Sequence, residues 1–165
     1  MAAPFVQVNN VAKRWNGQLG VQDISLSIPR GSFVALLGPS GCGKSTTLRL
    51  LSGLELPDSG TIIIDGNDVT YAAPADRNLS MVFQSYALFP HLNVTENVTF
   101  GLKVRKVNAE ERKSKLRKAL EITGLVGYED RKPGELSGGQ RQRVALARAI
   151  VANQSLQILN QALIV

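Results

Sequence analysis

A chain of 165 residues, 44% of them hydrophobic, is enough for one domain with its own core, and no apolar run approaches the roughly 18 residues needed to cross a bilayer. Its net charge of +6 comes with only 5% aromatic residues, so the basic excess lacks the stacking side chains of an RNA-binding surface. The single cysteine, Cys42, excludes an internal disulfide and fits a reducing compartment.

Met1 to Val8 has neither a basic region nor a long apolar stretch and does not read as a secretion signal. Phe5 to Val8 and Ile24 to Ile28 alternate apolar with polar residues, predicting half-buried strands of an antiparallel layer. After a turn at Pro29-Arg30-Gly31, the continuous apolar run Phe33 to Leu37 predicts a buried parallel strand. It leads into Gly38-Pro39-Ser40-Gly41-Cys42-Gly43-Lys44-Ser45, a G-x-x-x-x-G-K-S phosphate-binding loop, and Thr46 to Ser52 then reads as a short helix with Gly53 at its end. Glycines at 38, 41 and 43 let the backbone curl so that successive N–H groups face a phosphate, and the helix N-terminus adds partial positive charge. Lys44 suits the β- and γ-phosphates and Ser45 suits Mg²⁺. With Thr46, the loop forms the candidate nucleoside triphosphate site. The Cys42 thiol is a small side chain tolerated in the loop, or a group whose modification would block the phosphates.

Further along, Leu56 to Gly60 is a turn, Thr61 to Asp65 is β-rich, and Asp65-Gly66 is a second turn. Met81 to Phe83 reads as a short buried strand ending at Gln84. From Asn97 to Leu125 the pattern is helical, with Leu116, Leu120 and Leu125 among charges; Arg112, Lys113, Lys115, Arg117 and Lys118 read as a solvated face. Gln140 to Ile150 is helical again, and Leu156 to Leu159 is strand-like.

Leu136-Ser137-Gly138-Gly139-Gln140, followed by Arg-Gln-Arg-Val-Ala-Leu-Ala-Arg-Ala-Ile150 and lying 92 residues after Lys44, resembles the signature motif and helix of ABC transporter ATPase subunits. Alone, a Ser-Gly-Gly turn before a helix is an ordinary N-cap. Gln84, in Met81 to Pro90, resembles the family's Q-loop, and Trp15 stands at its adenine-stacking aromatic position. Pro74 to His91 is most similar to importers of sugars, glycerol phosphate or polyamines, and the resemblance runs from about Phe5 to Ser155.

That resemblance implies an α/β P-loop NTPase with a RecA-like parallel core, an antiparallel β layer and a helical subdomain, incomplete at the C-terminus. The expected parts are an ATP-binding core over about 1–90, a helical subdomain over about 91–139, and the signature helix with a degenerate Walker B strand over about 140–165. Trp15 would stack on adenine, Gln84 would approach Mg²⁺ and the attacking water, and Leu136 to Gln140 would meet the γ-phosphate held by a second subunit in a head-to-tail dimer. ATP and Mg²⁺ are the implied cofactors. The implied partners are transmembrane permease subunits and, indirectly, a periplasmic or extracellular solute-binding protein, without nucleic acid. The implied location is cytoplasmic, at the inner face of the membrane. His91 is a loop histidine and not the family's switch histidine.

The C-terminal segment departs from the family. Asn160 and Gln161 stand where an Asp-Glu pair belongs, Ala162 and Gln154 stand at expected prolines, and Gln157 interrupts a strand expected to be buried on both faces. An amide takes no proton from water, and loss of a general base removes about 10²–10⁴ in rate. Asn for Asp deletes a charge beside a divalent ion, on the order of 4 kcal/mol at 4 Å and an effective dielectric of 20. The expected activity is therefore ATP binding with poor or absent hydrolysis, in a truncated chain lacking the D-loop and switch histidine. The alternatives are a non-hydrolysing regulatory module and a non-functional remnant of a disrupted gene.

Overall fold

A computed structural model of the chain describes residues 4–82, 85–152 and 156–159. The chain divides into two compact units, Met1–Leu79 and Ser80–Val165.

The first unit is built on a four-stranded antiparallel sheet of order β2-β1-β3-β4, formed by β1 (Val6–Trp15), β2 (Gln18–Ile28), β3 (Ser59–Ile64) and β4 (Asn67–Asp68). Two two-residue turns set its registers. Asn16 and Gly17, both at positive φ, join Trp15 to its partner Gln18, and Asp65 and Gly66 do the same between Ile64 and Asn67. Left-handed Asn-Gly and Asp-Gly pairs give the twist that flanking strands require. Both strands of the first hairpin run much further than the alternating segments Phe5 to Val8 and Ile24 to Ile28. Bulges between Val8 and Val11, Val11 and Lys13, and Lys13 and Arg14 break the two-residue period that made the shorter segments legible. The inward residues are Val6, Val8 and Val11, so the spacing slips from two to three across the first bulge.

Helix α1 (Lys44–Ser52) follows the phosphate loop and buries Thr47, Leu50, Leu51 and Ser52. Its C-terminus is closed twice. Gly53, at φ 76°, donates to Leu50 O and Arg49 O, the left-handed glycine cap expected at a helix end. Arg77, buried in a loop that follows β4, donates to Leu50 O at 2.7 Å, Leu51 O at 3.1 Å, Thr70 O at 3.0 Å and Ala72 O at 3.0 Å. Burial pulls its guanidinium below the usual arginine value, and four carbonyls with the helix dipole stand in for a counter-ion.

The parallel strand expected at Phe33 to Leu37 is not formed. Residues 32–39 take no regular structure and belong to neither sheet of the described residues. Phe33 is 86% exposed and Leu37 84%. A strand meant to be covered on both faces takes its stability from ladders and packing on each side rather than from an intrinsic backbone preference.

The second unit begins within β5 (Leu79–Val82), which pairs with β6 (Leu156–Leu159) in a two-stranded sheet, and its body is α2 (Val94–Val104), α3 (Ala109–Thr123) and α4 (Gly138–Ala152). The helical stretch expected from Asn97 to Leu125 is two helices, broken at residues 105–108. Asn93 and Asn108 cap them, each side chain accepting from the N–H three residues on. One core gathers Val94, Val98, Leu102, Ala119, Leu120, Leu125, Leu136, Val144, Ala147 and Val151. In β6 Ile158 is buried and Gln157 exposed, so that strand has a wet side and is not covered on both faces.

Candidate nucleotide site

The phosphate loop closes on itself. Gly43, at φ 92°, is the N-cap of α1, offers no side chain to its N-terminal N–H groups, and is followed by no acidic residue in the first turn. That leaves the positive end of the helix to an outside acceptor, which suits a phosphate. A side chain at 43 is excluded twice: by the left-handed backbone, and because a methyl group there would lie 2.5 Å from Val21 Cγ1. Gly41 shares the left-handed conformation at φ 83°. Lys44 Nζ reaches back across the loop to donate to Gly38 O at 2.5 Å and Pro39 O at 2.8 Å, with Cys42 Sγ 3.4 Å away. Ser40, Cys42 and Ser45 are exposed, and Thr46 is half-buried.

Trp15 ends β1, 41% exposed, and its ring lies diagonally across the hairpin on Gly20, where a methyl group would meet ring carbon Cζ3 at 2.2 Å. Gly20 and Val21 are neighbours on β2. The first seats the Trp15 ring and the second abuts Gly43. Strand β1 is fastened beside Trp15 by Asp58: its N–H donates to Ala12 O at 2.9 Å, its Oδ2 accepts from the Arg14 N–H at 2.7 Å, and its Oδ1 accepts from Lys13 Nζ at 3.0 Å. The Arg14 N–H first, and then Lys13, hold the Asp58 carboxyl below the ordinary carboxylate value; Asp58 in turn raises Lys13.

The signature motif lies in the second unit. Leu136 is sunk in its helical core, and Ser137 caps α4. Its Oγ accepts from the Gln140 N–H at 3.2 Å while Gln140 Oε1 accepts from the Ser137 N–H at 2.8 Å, a reciprocal capping box. Arg141 fastens the motif by donating to Leu136 O at 2.6 Å. Gly138 and Gly139 are exposed, neither has a positive φ, and a methyl group on either meets nothing within 4 Å.

Gln84, Asn160 and Gln161 lie outside the described residues. Just past Gln84, however, Tyr86 and Ala87 hold left-handed φ of 62° and 45°. Their carbonyls accept from Arg148 of α4, at 2.9 and 2.8 Å, and burial lowers the Arg148 guanidinium from its usual value. His91 stands edge-on to Phe89 in a loop that buried Asn97 ties down through Phe89 N–H and the carbonyls of Phe89, Leu92 and Asn93. No sequence motif marks Asp58, Arg77, Arg148 or Asn97. For Gly20 and the Asn16-Gly17 turn a signal existed, because Asn-Gly directly after Trp15 marks a hairpin that must return along it.

Residues 21–163 match the ABC transporter family. This chain belongs to that family. It is 50% identical over 158 residues to the spermidine/putrescine import ATP-binding protein of Acetivibrio thermocellus, covering 96% of this chain and 45% of that protein. It is 49% identical over 159 residues to the Fe(3+) ions import ATP-binding protein of Pasteurella multocida, covering 96% and 46%. The chain thus spans about half the length of these relatives. Among solved structures it is similar to CbiO1 from Clostridium perfringens, described as part of the ABC transporter complex CbiONQ: TM-score 0.85, 29% identity, 96% of this chain and 65% of that one. The α/β P-loop NTPase fold expected from the motifs is therefore the family's fold. No helix among the described residues is long and apolar enough to cross a membrane.

Proposed function

We propose that this chain is the nucleotide-binding domain of an ABC importer subunit, holding Mg-ATP between Trp15 and the loop Gly38 to Thr46. The observation that carries the reading is the placement of the uncapped α1 N-terminus and the Trp15 ring against adjacent residues of β2. A nucleotide needs such an arrangement, with an aromatic plane for the base and N–H groups with a cation for the phosphates. Lys44 would exchange the carbonyls of Gly38 and Pro39 for phosphate oxygens, which is a gain because the acceptor becomes charged. Ser45, in the first turn of α1, would supply a hydroxyl to Mg²⁺, whose role is to neutralise charge on the bridged phosphates.

The exposed glycines of the signature motif support a composite site. Neither glycine has a positive φ, and among the described residues nothing lies within 4 Å of a methyl group built at 138 or 139. Bare backbone at a helix start suits a phosphate presented by a second nucleotide-binding subunit, with Ser137 alongside. The wider assembly in this reading has permease subunits at the inner face of the membrane and a solute-binding protein beyond them. Relatives named for a polyamine and for a ferric ion match at 50% and 49% identity, so the cargo is set outside this domain. Asn160 and Gln161, in place of carboxylates, support binding with weak turnover; the rival within this reading is a module that dimerises on ATP and never turns over.

Calorimetric titration tests the reading. The chain should bind Mg-ATP, and Lys44→Ala should weaken binding about 10- to 100-fold, as expected for loss of charged hydrogen bonds. Equal affinity in the two proteins would remove the phosphate loop from consideration. Phosphate release measured alongside separates weak hydrolysis from none.

A further inference from the structure

The Trp15 side chain stands beyond three irregularities in the β1–β2 ladder; in the last, Lys13 pairs with Val21 and Arg14 with Leu19, so Gly20 of β2 is the extra residue. A bulge re-aims the residues that follow it and leaves backbone groups without a ladder partner. Here β3 pairs with β1 only as far as Ala12, opposite Ser59, so the Arg14 N–H has no strand to meet on that edge. Asp58, the residue before β3 begins, fills the gap. It touches three consecutive residues of β1: Ala12 O through its own N–H, Lys13 Nζ through Oδ1 and the Arg14 N–H through Oδ2. Glu55 adds a second carboxylate to Lys13 at 3.4 Å, and the Lys13 side chain is only 14% exposed. On the opposite edge, the ring of Trp15 rests on Gly20 of β2 where no side chain would fit.

We propose that Asp58 is a positioning residue for nucleotide binding: it closes the edge of β1 that β3 leaves open beyond Ala12, across the strand from the bulge at Gly20, and so holds the Trp15 ring on Gly20, aimed at the base. The inference rests on the adenine-stacking role given to Trp15 above. Asp58 touches no nucleotide in this arrangement and acts through backbone geometry. Its effect falls on recognition of the base and leaves phosphate binding to the loop.

Trp15 is the chain's only tryptophan, so its emission reports the ring directly. The experiment uses the full 165-residue chain, with Mg-ATP and inorganic tripolyphosphate as probes, and compares Asp58→Ala, Asp58→Asn and Gly20→Ala. In ligand-free protein the Trp15 emission anisotropy should fall in Asp58→Ala and Gly20→Ala. Mg-ATP affinity should drop about 3- to 10-fold in both, the scale of one weakened aromatic contact, while tripolyphosphate affinity stays within about two-fold. Asp58→Asn keeps an acceptor for the Arg14 N–H and should restore most of the loss. Unchanged anisotropy in Asp58→Ala overturns the proposal whether or not ATP binds. Parallel weakening of ATP and tripolyphosphate overturns it as well, since Asp58 would then serve the fold at large. Should Asp58→Ala not fold, Gly20→Ala decides: ATP affinity equal to the parent's rejects the seat and with it the aiming role. A parent chain that binds neither probe refutes the nucleotide reading, whereas the ligand-free anisotropy judges Asp58 separately.

Discussion

Leu136 of the signature motif is buried with nine other residues of a helical core, whereas Phe33 and Leu37, which lead into the phosphate loop, are 86% and 84% exposed. The same contrast holds for the polar groups. Ser137 and Gln140 satisfy each other across three residues, and Arg141 takes the preceding carbonyl. Lys44, by comparison, bonds within its own loop, to the carbonyls of Gly38 and Pro39 and to Cys42 Sγ. One motif is held by capping bonds close in sequence and by a helical core that its own unit supplies, and one is flanked by a segment without ladder partners. Capping is local and helices form from nearby residues, while a parallel strand needs partners across a crossover connection. The helical unit should therefore carry the more persistent structure and the phosphate-loop side the more conditional one.

The largest effect expected is in the helical core. Leu120→Ala removes a buried side chain from the contact between α3 and its neighbours and should cost about 3 kcal/mol. Hydrogen exchange should report the loss across α2 to α4, with amides of the four-stranded sheet unaffected; equal loss in both units would end the contrast.

Arg77→Met makes the converse cut. It strands carbonyls of Leu50, Leu51, Thr70 and Ala72 in a buried setting and should cost roughly 2 kcal/mol after removal of the desolvated charge is credited. Protection should fall in α1 and β3 and hold in the helical unit. Next, Ser137→Ala breaks the capping box of α4 and should cost about 1 kcal/mol in a denaturant midpoint, since the first-turn donors it serves face water.

The smallest change in stability is expected from Phe33→Ser with Leu37→Ser, within about 0.5 kcal/mol, because both side chains already face solvent. Association should change far more, since exposed apolar residues on an unpaired segment invite self-contact. Light scattering should show the double variant less aggregated than the parent, and equal aggregation would mean these residues are covered in solution.

Elements whose stability is local were legible in the sequence. Helix α1 with its Gly53 cap, α4 after Ser137, β3 and the Asp65-Gly66 turn stand where residue type and period put them. The long hairpin was only half legible, since three bulges hide its period, and the left-handed Asn10 and Asp23 look like ordinary strand polar residues. The strand expected at Phe33 to Leu37 illustrates the opposite case: its composition suits a buried strand, but ladder partners are a property of the whole chain and not of five residues. Among candidate site residues, the phosphate loop and signature were legible because their glycines have few other reasons to be there. Asp58, Arg77 and Arg148 were not, because each reaches at least one backbone atom 27 to 62 residues away and nothing in the local pattern marks such a contact.

Helix α1 has one end at Lys44 and the other under Arg77. At nine residues it is a strut about 13 Å long. Its guanidinium clamp also grips Thr70 and Ala72, so the far end of the strut is bolted to the stretch that runs on toward β5. A rod held this way does not yield by bending; it passes displacement along its axis. Any tug at the phosphate end is thus mechanically present at residues 70–77, and the clamp at Arg77 sets how much slack that linkage contains.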